Sequence, residues 1–201
     1  MNRSRAAISF ISALGFVLGL VPSSPLYAQT QSQPQATACP LEGPSITDTL
    51  KYINAALAAS EGLEFGNNHH ENASLEFRQD ELINRFDSVL YAQRTGERIL
   101  TTHFEDSFPV YLLDCKVAVN PNNPNVIAVS CATTINCGTG RNYTDDGAAN
   151  GGPNNYFNVW YRGDIDHGER LARALSHLVA LLKQQYKQSH SDPNDPFAKP
   201  Q

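Results

Sequence analysis

Histidine and aspartate are the residues of this chain that could carry out acid–base chemistry, and four of them stand out. His103 and Asp106 border a predicted strand, Asp114 precedes Cys115, and His177 lies among the leucines of a predicted C-terminal helix. A histidine paired with an acid can act as a general base towards a hydroxyl group or a water molecule. No sequence neighbour pairs either histidine with a nucleophile, so a hydrolase site requires residues that converge only in three dimensions. The helical pattern predicts His177 at the edge of the packed face, with its ring partly hydrated.

Two short segments contain residue types that bind metals. His69-His70-Glu71 places two imidazoles and a carboxylate in succession, but adjacent side chains rarely point the same way, and the asparagines around them predict a solvated loop. Asp164–Glu169 resembles part of a calcium loop, which needs Gly at position 6 and Glu at position 12. Here Gly168 is at position 5 and no acid closes the loop, so helix capping by Asp166 and Glu169 is the better interpretation. The sequence therefore predicts no metal site and no cofactor.

The remaining candidates are a glycine-containing segment and two aromatic residues. Gly138–Arg141 follows a predicted disulfide and precedes no helix, so it is interpreted as a turn rather than an anion site. Trp160 and Tyr161 on the last predicted strand are expected in the core. The sequence also lacks the signature motifs of several hydrolase, protease and nucleotide-binding classes. No catalytic residue is predicted.

Four cysteines predict two disulfide bonds if the protein is exported. Cys131 and Cys137 flank a short segment that could reverse the chain, which favours a bridge between them. Cys39 and Cys115 would then form the second bridge, although four cysteines allow three pairings. The spacing of six residues between Cys131 and Cys137 does not match common zinc-ligand spacings.

Two amphipathic helices and a series of strands must position these residues. The first helix is predicted over 45–60, capped by Ser45, and Gly62 ends it. In the last, Leu171, Leu175, Leu178 and Leu182 recur at helical spacing and predict one buried face of about 20 residues. We expect this helix to be essential for folding, with Leu175 and Leu178 among its most buried residues.

The sequence between the helices alternates with period two, which is typical of strands. Strands are predicted near 75–77, 89–92, 99–104, 108–119, 126–131 and 155–161, with turns at Thr95-Gly96 and 120–125. The segment 82–86 matches helix and strand patterns equally well. Residues 141–155 are rich in Gly, Asn and Asp and predict a long surface loop. Strands bracketed by helices predict an α+β fold with an antiparallel sheet.

The N-terminal residues indicate export. Arg3 and Arg5 precede an apolar run over 8–21, and 22–28 is rich in small and helix-breaking residues, as in a signal peptide cleaved after Ala28. The predicted parts are a signal peptide (1–28), a flexible lead-in (29–44), one globular domain (45–187) and a disordered tail (188–201). No second apolar run predicts a membrane span, so a periplasmic or secreted location is expected. Loss of two arginines takes the formal net charge from −5 to −7, which argues against nucleic acid as a partner.

The arrangement of the chain resembles a known layout. A Ser-Ile-Thr-Asp-Thr-Leu-Lys-Tyr-Ile-Asn helix (45–54) is followed by strands, by Ser-Phe-Pro-Val-Tyr-Leu-Leu-Asp (107–114) and by a closing Glu-Arg-Leu-Ala-Arg-Ala-Leu-Ser-His-Leu helix (169–178). Over about 45–187 this is similar to a group of bacterial secreted domains with a pleckstrin-homology-like layout. The resemblance implies a strongly bent antiparallel sheet or barrel with a C-terminal helix packed on it. It also implies binding of peptides or lipid headgroups, but the Lys/Arg cluster that holds headgroups is not visible here.

Three functions remain open at this level. The first is an exported, non-enzymatic binding or interaction module for a protein, peptide or small molecule. The second is a small secreted hydrolase that uses His103 or His177 with an aspartate. The third is a structural or assembly component, for which a large exposed apolar patch would be the sign.

Overall fold

The computed structural model describes residues 39–191 and shows an α+β fold, as predicted. Two helices and a short 3-10 helix accompany nine strands. In chain order these are α1 (Ile46–Ala58), β1 (Leu63–Phe65), β2 (Asn68–Arg78), β3 (Glu81–Tyr91), β4 (Arg98–Pro109), the 3-10 helix (Val110–Leu112), β5 (Ala118–Asn120), β6 (Asn123–Ser130), β7 (Gly138–Thr144), β8 (Ala149–Asn154), β9 (Tyr156–Trp160) and α2 (Ile165–His190). Within this range no helix combines the length and the apolar character needed to cross a membrane.

The strands form two antiparallel sheets. The large sheet has six strands in the order β1-β2-β3-β4-β7-β8, and the small sheet has three in the order β5-β6-β9. In residues 39–191 neither sheet closes into a barrel. The α+β class is therefore confirmed, whereas the pleckstrin-homology-like layout remains a prediction.

The core lies between the two helices and one face of each sheet. Ser45 caps α1 by accepting a hydrogen bond from the Asp48 amide, as predicted, and Ile53 and Leu57 of α1 are buried. The four leucines that repeat along α2 are fully buried. Each of these side chains removes apolar surface from water and stabilises the fold by about 1.5–3 kcal/mol. Helix α2 continues to His190, three residues beyond the predicted boundary.

Both disulfide bonds have the favoured pairing. Cys39 is bonded to Cys115 with a Cα–Cα distance of 5.8 Å, and Cys131 to Cys137 with 5.9 Å. The first bridge joins the segment before α1 to the segment before β5. The second closes the loop between β6 and β7.

The predictions for three segments were wrong: a loop, a turn and a strand. The predicted loop over 141–155 is largely a hairpin of β7 and β8, and Gly138–Arg141 lies in β7 rather than in a turn. Ladder hydrogen bonds to β4 hold β7 extended although its Gly and Asn residues have low strand propensity. The predicted strand over 108–119 instead contains the end of β4, the 3-10 helix and β5. Segment 82–86, left ambiguous by its pattern, is a strand in β3.

Candidate functional site

The inner face of the large sheet brings together polar residues that are far apart in sequence. Leu82 and Phe108 are opposite each other in β3 and β4 and both are buried in the core, which defines this inner face. Side chains alternate along a strand, so Asn84 and Asp106 lie on the same face one step further along. The register then places Gly140 of β7 opposite Asp106, and Gly152 of β8 opposite Gly140.

Asp106 is at the centre of this group. Its carboxylate accepts a hydrogen bond from Asn84 Nδ2 at 3.4 Å and another from Asn154 Nδ2 at 3.3 Å. Burial raises the pKa of the Asp106 carboxyl above its ordinary value, and the hydrogen bonds from the two amides oppose this rise. A carboxylate has about four acceptor positions, so it retains capacity for further donors.

Glycines leave the sheet surface beside Asp106 free of side chains. A Cβ atom at Gly140 would lie 2.9 Å from Asp106 Oδ1, so a side chain there would displace the carboxylate. A Cβ atom at Gly152 would have no atom within 4 Å and would project into open space. The backbone of β7 and β8 is therefore accessible next to the carboxylate.

A row of aromatic rings ends beside this space. The row consists of Phe65, Trp160, His70, Phe86 and Phe104, with successive ring centroids 4.4–5.2 Å apart. Phe104 ends the row and stacks on Phe86 at 4.7 Å with nearly parallel planes. Because Phe86 covers one face of the Phe104 ring, the other face is turned towards β7 and β8.

Beside Asp106 and Phe104 lies an open depression of about 410 Å³, which we call the Asp106 pocket. Its lining comprises Phe104, Asp106, Gly140, Arg141, Asn142, Asn150, Gly151, Gly152, Pro153 and Asn154. Small-molecule sites commonly have volumes of about 300–1,000 Å³ and combine an apolar wall with a few converging polar groups. The Asp106 pocket has both properties.

His103 lies on the opposite, outer face of the sheet. Its Nδ1 is 2.7 Å from Asp87 Oδ1, its Nε2 is 3.1 Å from Asp145 Oδ1, and its ring stacks on Tyr143. The hydrogen bond to Asp145, followed by that to Asp87, raises the pKa of His103. Both ring nitrogens are engaged by carboxylates, and in residues 39–191 His103 makes no hydrogen bond to a hydroxyl group. His103 and Asp106 therefore do not form one site, despite their proximity in sequence.

His177 has a structural environment. It is buried rather than partly hydrated, and its Nδ1 and Nε2 each lie 2.9 Å from a backbone oxygen, of Pro40 and Pro44 respectively. The ring thereby holds the segment that leads into α1. Asp114 is likewise engaged locally, because its carboxylate accepts a hydrogen bond from the Lys116 amide.

The His69-His70-Glu71 segment is not a loop, contrary to the prediction, but part of β2. Its side chains alternate between faces. Glu71 accepts hydrogen bonds from Tyr91 and Arg98 on the outer face, whereas His70 is buried in the aromatic row. Burial lowers the pKa of His70. Among residues 39–191 no group of three or more His, Cys, Asp or Glu side chains is placed to hold a metal ion.

The remaining candidates contribute to the fold. Asp164, and not Asp166, caps α2 by accepting a hydrogen bond from the His167 amide at 2.8 Å. Tyr161 is fully buried, as predicted, and its hydroxyl donates to the carbonyl oxygen of Pro124. Trp160 is half-buried within the aromatic row.

Sequence reasoning missed the Asp106 pocket because its lining comes from three strands, β4, β7 and β8. The sequence pattern marks Asp106 only as a possible partner of His103, and it gives no functional signal at Asn84, Asn142 or Asn154. One signal was available: glycine within a strand often marks a place where a ligand or another backbone approaches closely. Gly140 and Gly152 fit that rule, but they were assigned to a turn and a loop.

No protein-family model matches the chain, and no match was found among the curated proteins or among the solved structures. Function is therefore inferred from the geometry alone.

Proposed function

We propose that this protein is an exported, non-enzymatic binding module that takes a small polar ligand, or one unit of a larger ligand, into the Asp106 pocket. One observation carries the proposal. A half-buried aromatic ring, a carboxylate with free acceptor capacity and several amides line one open depression, and Gly152 adds no side chain to it.

A binding function is favoured over hydrolysis by the surroundings of the two acids. Asp106 is hydrogen-bonded by amides and has no histidine beside it. His103 does have acid partners, as the hydrolase alternative requires, but it lies on the outer face with both nitrogens occupied. In the described residues, neither group is placed to activate a hydroxyl group or a water molecule.

Export is supported by two independent features. The signal-like pattern of residues 1–28 lies outside the described residues, and the two disulfide bonds are of the kind that persist in oxidising compartments. We expect the mature chain to begin at Gln29. Mass spectrometry of protein from an exporting host tests this, and an intact Met1 on exported material would contradict it.

We also propose that the domain has a pleckstrin-homology-like layout. The antiparallel sheets and the packed C-terminal helix support it, whereas the absence of a closed barrel in residues 39–191 does not. A lipid headgroup is not the favoured ligand because the Asp106 pocket presents a carboxylate where such a ligand needs a basic cluster. The structural-component alternative is less favoured, because exposed apolar side chains such as Ile99, Ile135 and Ile165 lie on separate elements.

A fragment screen tests the proposed function. Backbone amide NMR shifts of the disulfide-bonded protein would be followed on adding neutral, cationic and anionic fragments. We expect binding fragments to shift the amides of Gly140, Asn142, Gly152 and Asn154. Clustering of the shifts around His103 on the outer face would contradict the proposal, and so would the absence of any binding fragment.

A further inference from the structure

Resting on the proposed function, we infer that the ligand of the Asp106 pocket is a neutral sugar unit of a glycan, held by its hydroxyl groups and stacked against the Phe104 ring.

The hydrogen-bonding groups of the pocket match hydroxyl groups. Asp106 can only accept while it is ionised, and the amides of Asn142 and Asn150 both donate and accept. Within residues 39–191 neither of these amides makes a side-chain hydrogen bond, and both line the pocket. A hydroxyl group also donates and accepts, so vicinal hydroxyls of a sugar can satisfy the carboxylate and the amides together. An ammonium group donates only, and would leave the amide N–H groups without an acceptor.

The shape of the pocket matches a saturated ring. The free face of Phe104 offers an apolar surface to the C–H groups of a pyranose, while Phe86 fixes the ring from behind. Opposite this wall, Gly152 adds no side chain and leaves the space above β8 open. Because β8 is the edge strand of the large sheet, the pocket opens at that edge. A longer glycan can therefore continue beyond the bound unit.

The charge of the pocket disfavours an anionic ligand. Asp106 would repel a carboxylate or phosphate placed against it. Arg141 does not compensate, because it follows Gly140 in β7 and its side chain leaves the strand on the outer face, where it lines a separate cavity with Arg85 and Glu105. No other cationic residue lines the pocket.

The experiment compares three classes of probe by NMR titration and calorimetry. The neutral probes are maltotetraose, cellotetraose and chitotetraose, the anionic probe is a galacturonic acid trimer, and the cationic probe is 1,5-diaminopentane. The pocket variants are Gly152→Val, Phe104→Leu and Asp106→Asn. The control variants on the outer face are Tyr143→Leu and Asp145→Asn, which make the corresponding aromatic and charge changes away from the pocket.

We expect at least one neutral oligosaccharide to shift the amides of Gly140, Asn142, Gly152 and Asn154. The Cβ atom of Gly152→Val has no atom within 4 Å, so we expect this variant to fold and to weaken binding by about tenfold or more. Loss of the charged acceptor in Asp106→Asn should weaken binding by a similar factor, and the control variants should bind as the wild type does.

Two outcomes overturn the sugar inference. If diaminopentane or the uronic acid trimer shifts the pocket amides and no neutral sugar does, the pocket binds a ligand of another class and the proposed function survives. If sugar affinity is unchanged in Gly152→Val, the sugar binds elsewhere. A lack of response at the pocket to all three classes, together with a negative fragment screen, overturns the proposed function itself.

Discussion

Individual histidines in this protein have different roles because each is placed against different partners. His103 faces two carboxylates on the outer face, His70 is stacked between aromatic rings, and His177 bridges two backbone carbonyls. The residue type is the same in each case, and the environment decides whether the charged form is favoured. The structural consequences can be tested residue by residue.

The interaction of His103 with its carboxylates should make stability depend on pH. Its pKa is raised, chiefly by Asp145, so the folded state binds the proton more tightly than the unfolded state does. The stabilisation is complete below the unfolded value of about 6.5 and is lost as the pH rises through the folded pKa. We expect wild type to exceed His103→Gln in melting temperature by more at about pH 5.5 than at about pH 8.5.

The measured quantity is the difference in melting temperature between wild type and variant at each pH. The lowered pKa of His70 changes stability with pH in the opposite direction, but it does so equally in both proteins and cancels in the difference. Asp145→Asn should reproduce most of the effect of His103→Gln. A difference in melting temperature that does not change with pH would show that the ion pairs do not form in solution.

His177 should fix the segment before α1. Its ring nitrogens face the carbonyl oxygens of Pro40 and Pro44, and an imidazole with a single N–H donates to one of them, a hydrogen bond worth about 0.5–1.5 kcal/mol. We expect His177→Ala, which leaves a carbonyl without its donor, to lower the free energy of unfolding by about 1–3 kcal/mol. It should also accelerate amide exchange at Asp48 and Thr49, whose amides donate to Ser45 at the start of α1. Chemical denaturation and hydrogen exchange measure these effects. His190→Ala, near the exposed end of α2, is the control, and equal effects of the two substitutions would contradict the role of His177.

At the scale of the elements, α2 depends on a glycine that sequence rules would disfavour. Gly168 is in the first turns of the helix, and the hydroxyl of the buried Tyr161 occupies the place where its Cβ would be. Alanine is normally better than glycine in a helix by about 1 kcal/mol. The missing side chain is therefore explained by packing and not by helix propensity.

We expect Gly168→Ala to destabilise the protein by about 1–3 kcal/mol, because Tyr161 must move and lose its hydrogen bond to Pro124. Tyr161→Phe in the same chain should restore only part of the loss, since it removes the nearest clashing atom but leaves the ring carbon Cζ too close to the new Cβ. Thermal unfolding measures both, with Gly152→Ala as the control in open space. A Gly168→Ala variant more stable than wild type would show that helix propensity outweighs the packing.

The elements that sequence predicted are those with strong local signals. Ser45 and the apolar spacing after it specify α1, and the leucine repeat specifies the buried face of α2. The β7–β8 hairpin has no such signal, because Gly140, Gly152 and their asparagine neighbours favour loops. Its extended form comes from pairing with β4, a contact that no local pattern encodes. The Asp106 pocket was missed for the same reason, since it exists only once that pairing has formed.

For the molecule as a whole, the two disulfide bonds should contribute unequally to stability. Cys39–Cys115 links residues 76 apart in sequence, whereas Cys131–Cys137 links residues 6 apart. In the chain-entropy model, Cys39–Cys115 raises the free energy of the unfolded chain by about 4–5 kcal/mol, and Cys131–Cys137 raises it by about 2 kcal/mol.

We expect the double variant Cys39→Ala/Cys115→Ala to lose more stability than Cys131→Ala/Cys137→Ala in guanidinium unfolding. The shorter bridge serves as the matched control because it removes the same number of sulfur atoms. A larger loss from the shorter bridge would mean that it acts mainly through the folded state, by holding the start of β7.

Strand β8 has a consequence for self-association as well as for binding. It ends the large sheet, and its sequence Ala-Asn-Gly-Gly-Pro-Asn has few residues that favour extended pairing. Pro153 has no N–H group to offer to a strand of another molecule, and open edges of this composition are poor templates for aggregation. Substitutions that made β8 a better strand would therefore act twice: they would add side chains above the floor beside Asp106, and they would create an edge on which a second copy of the chain could pair.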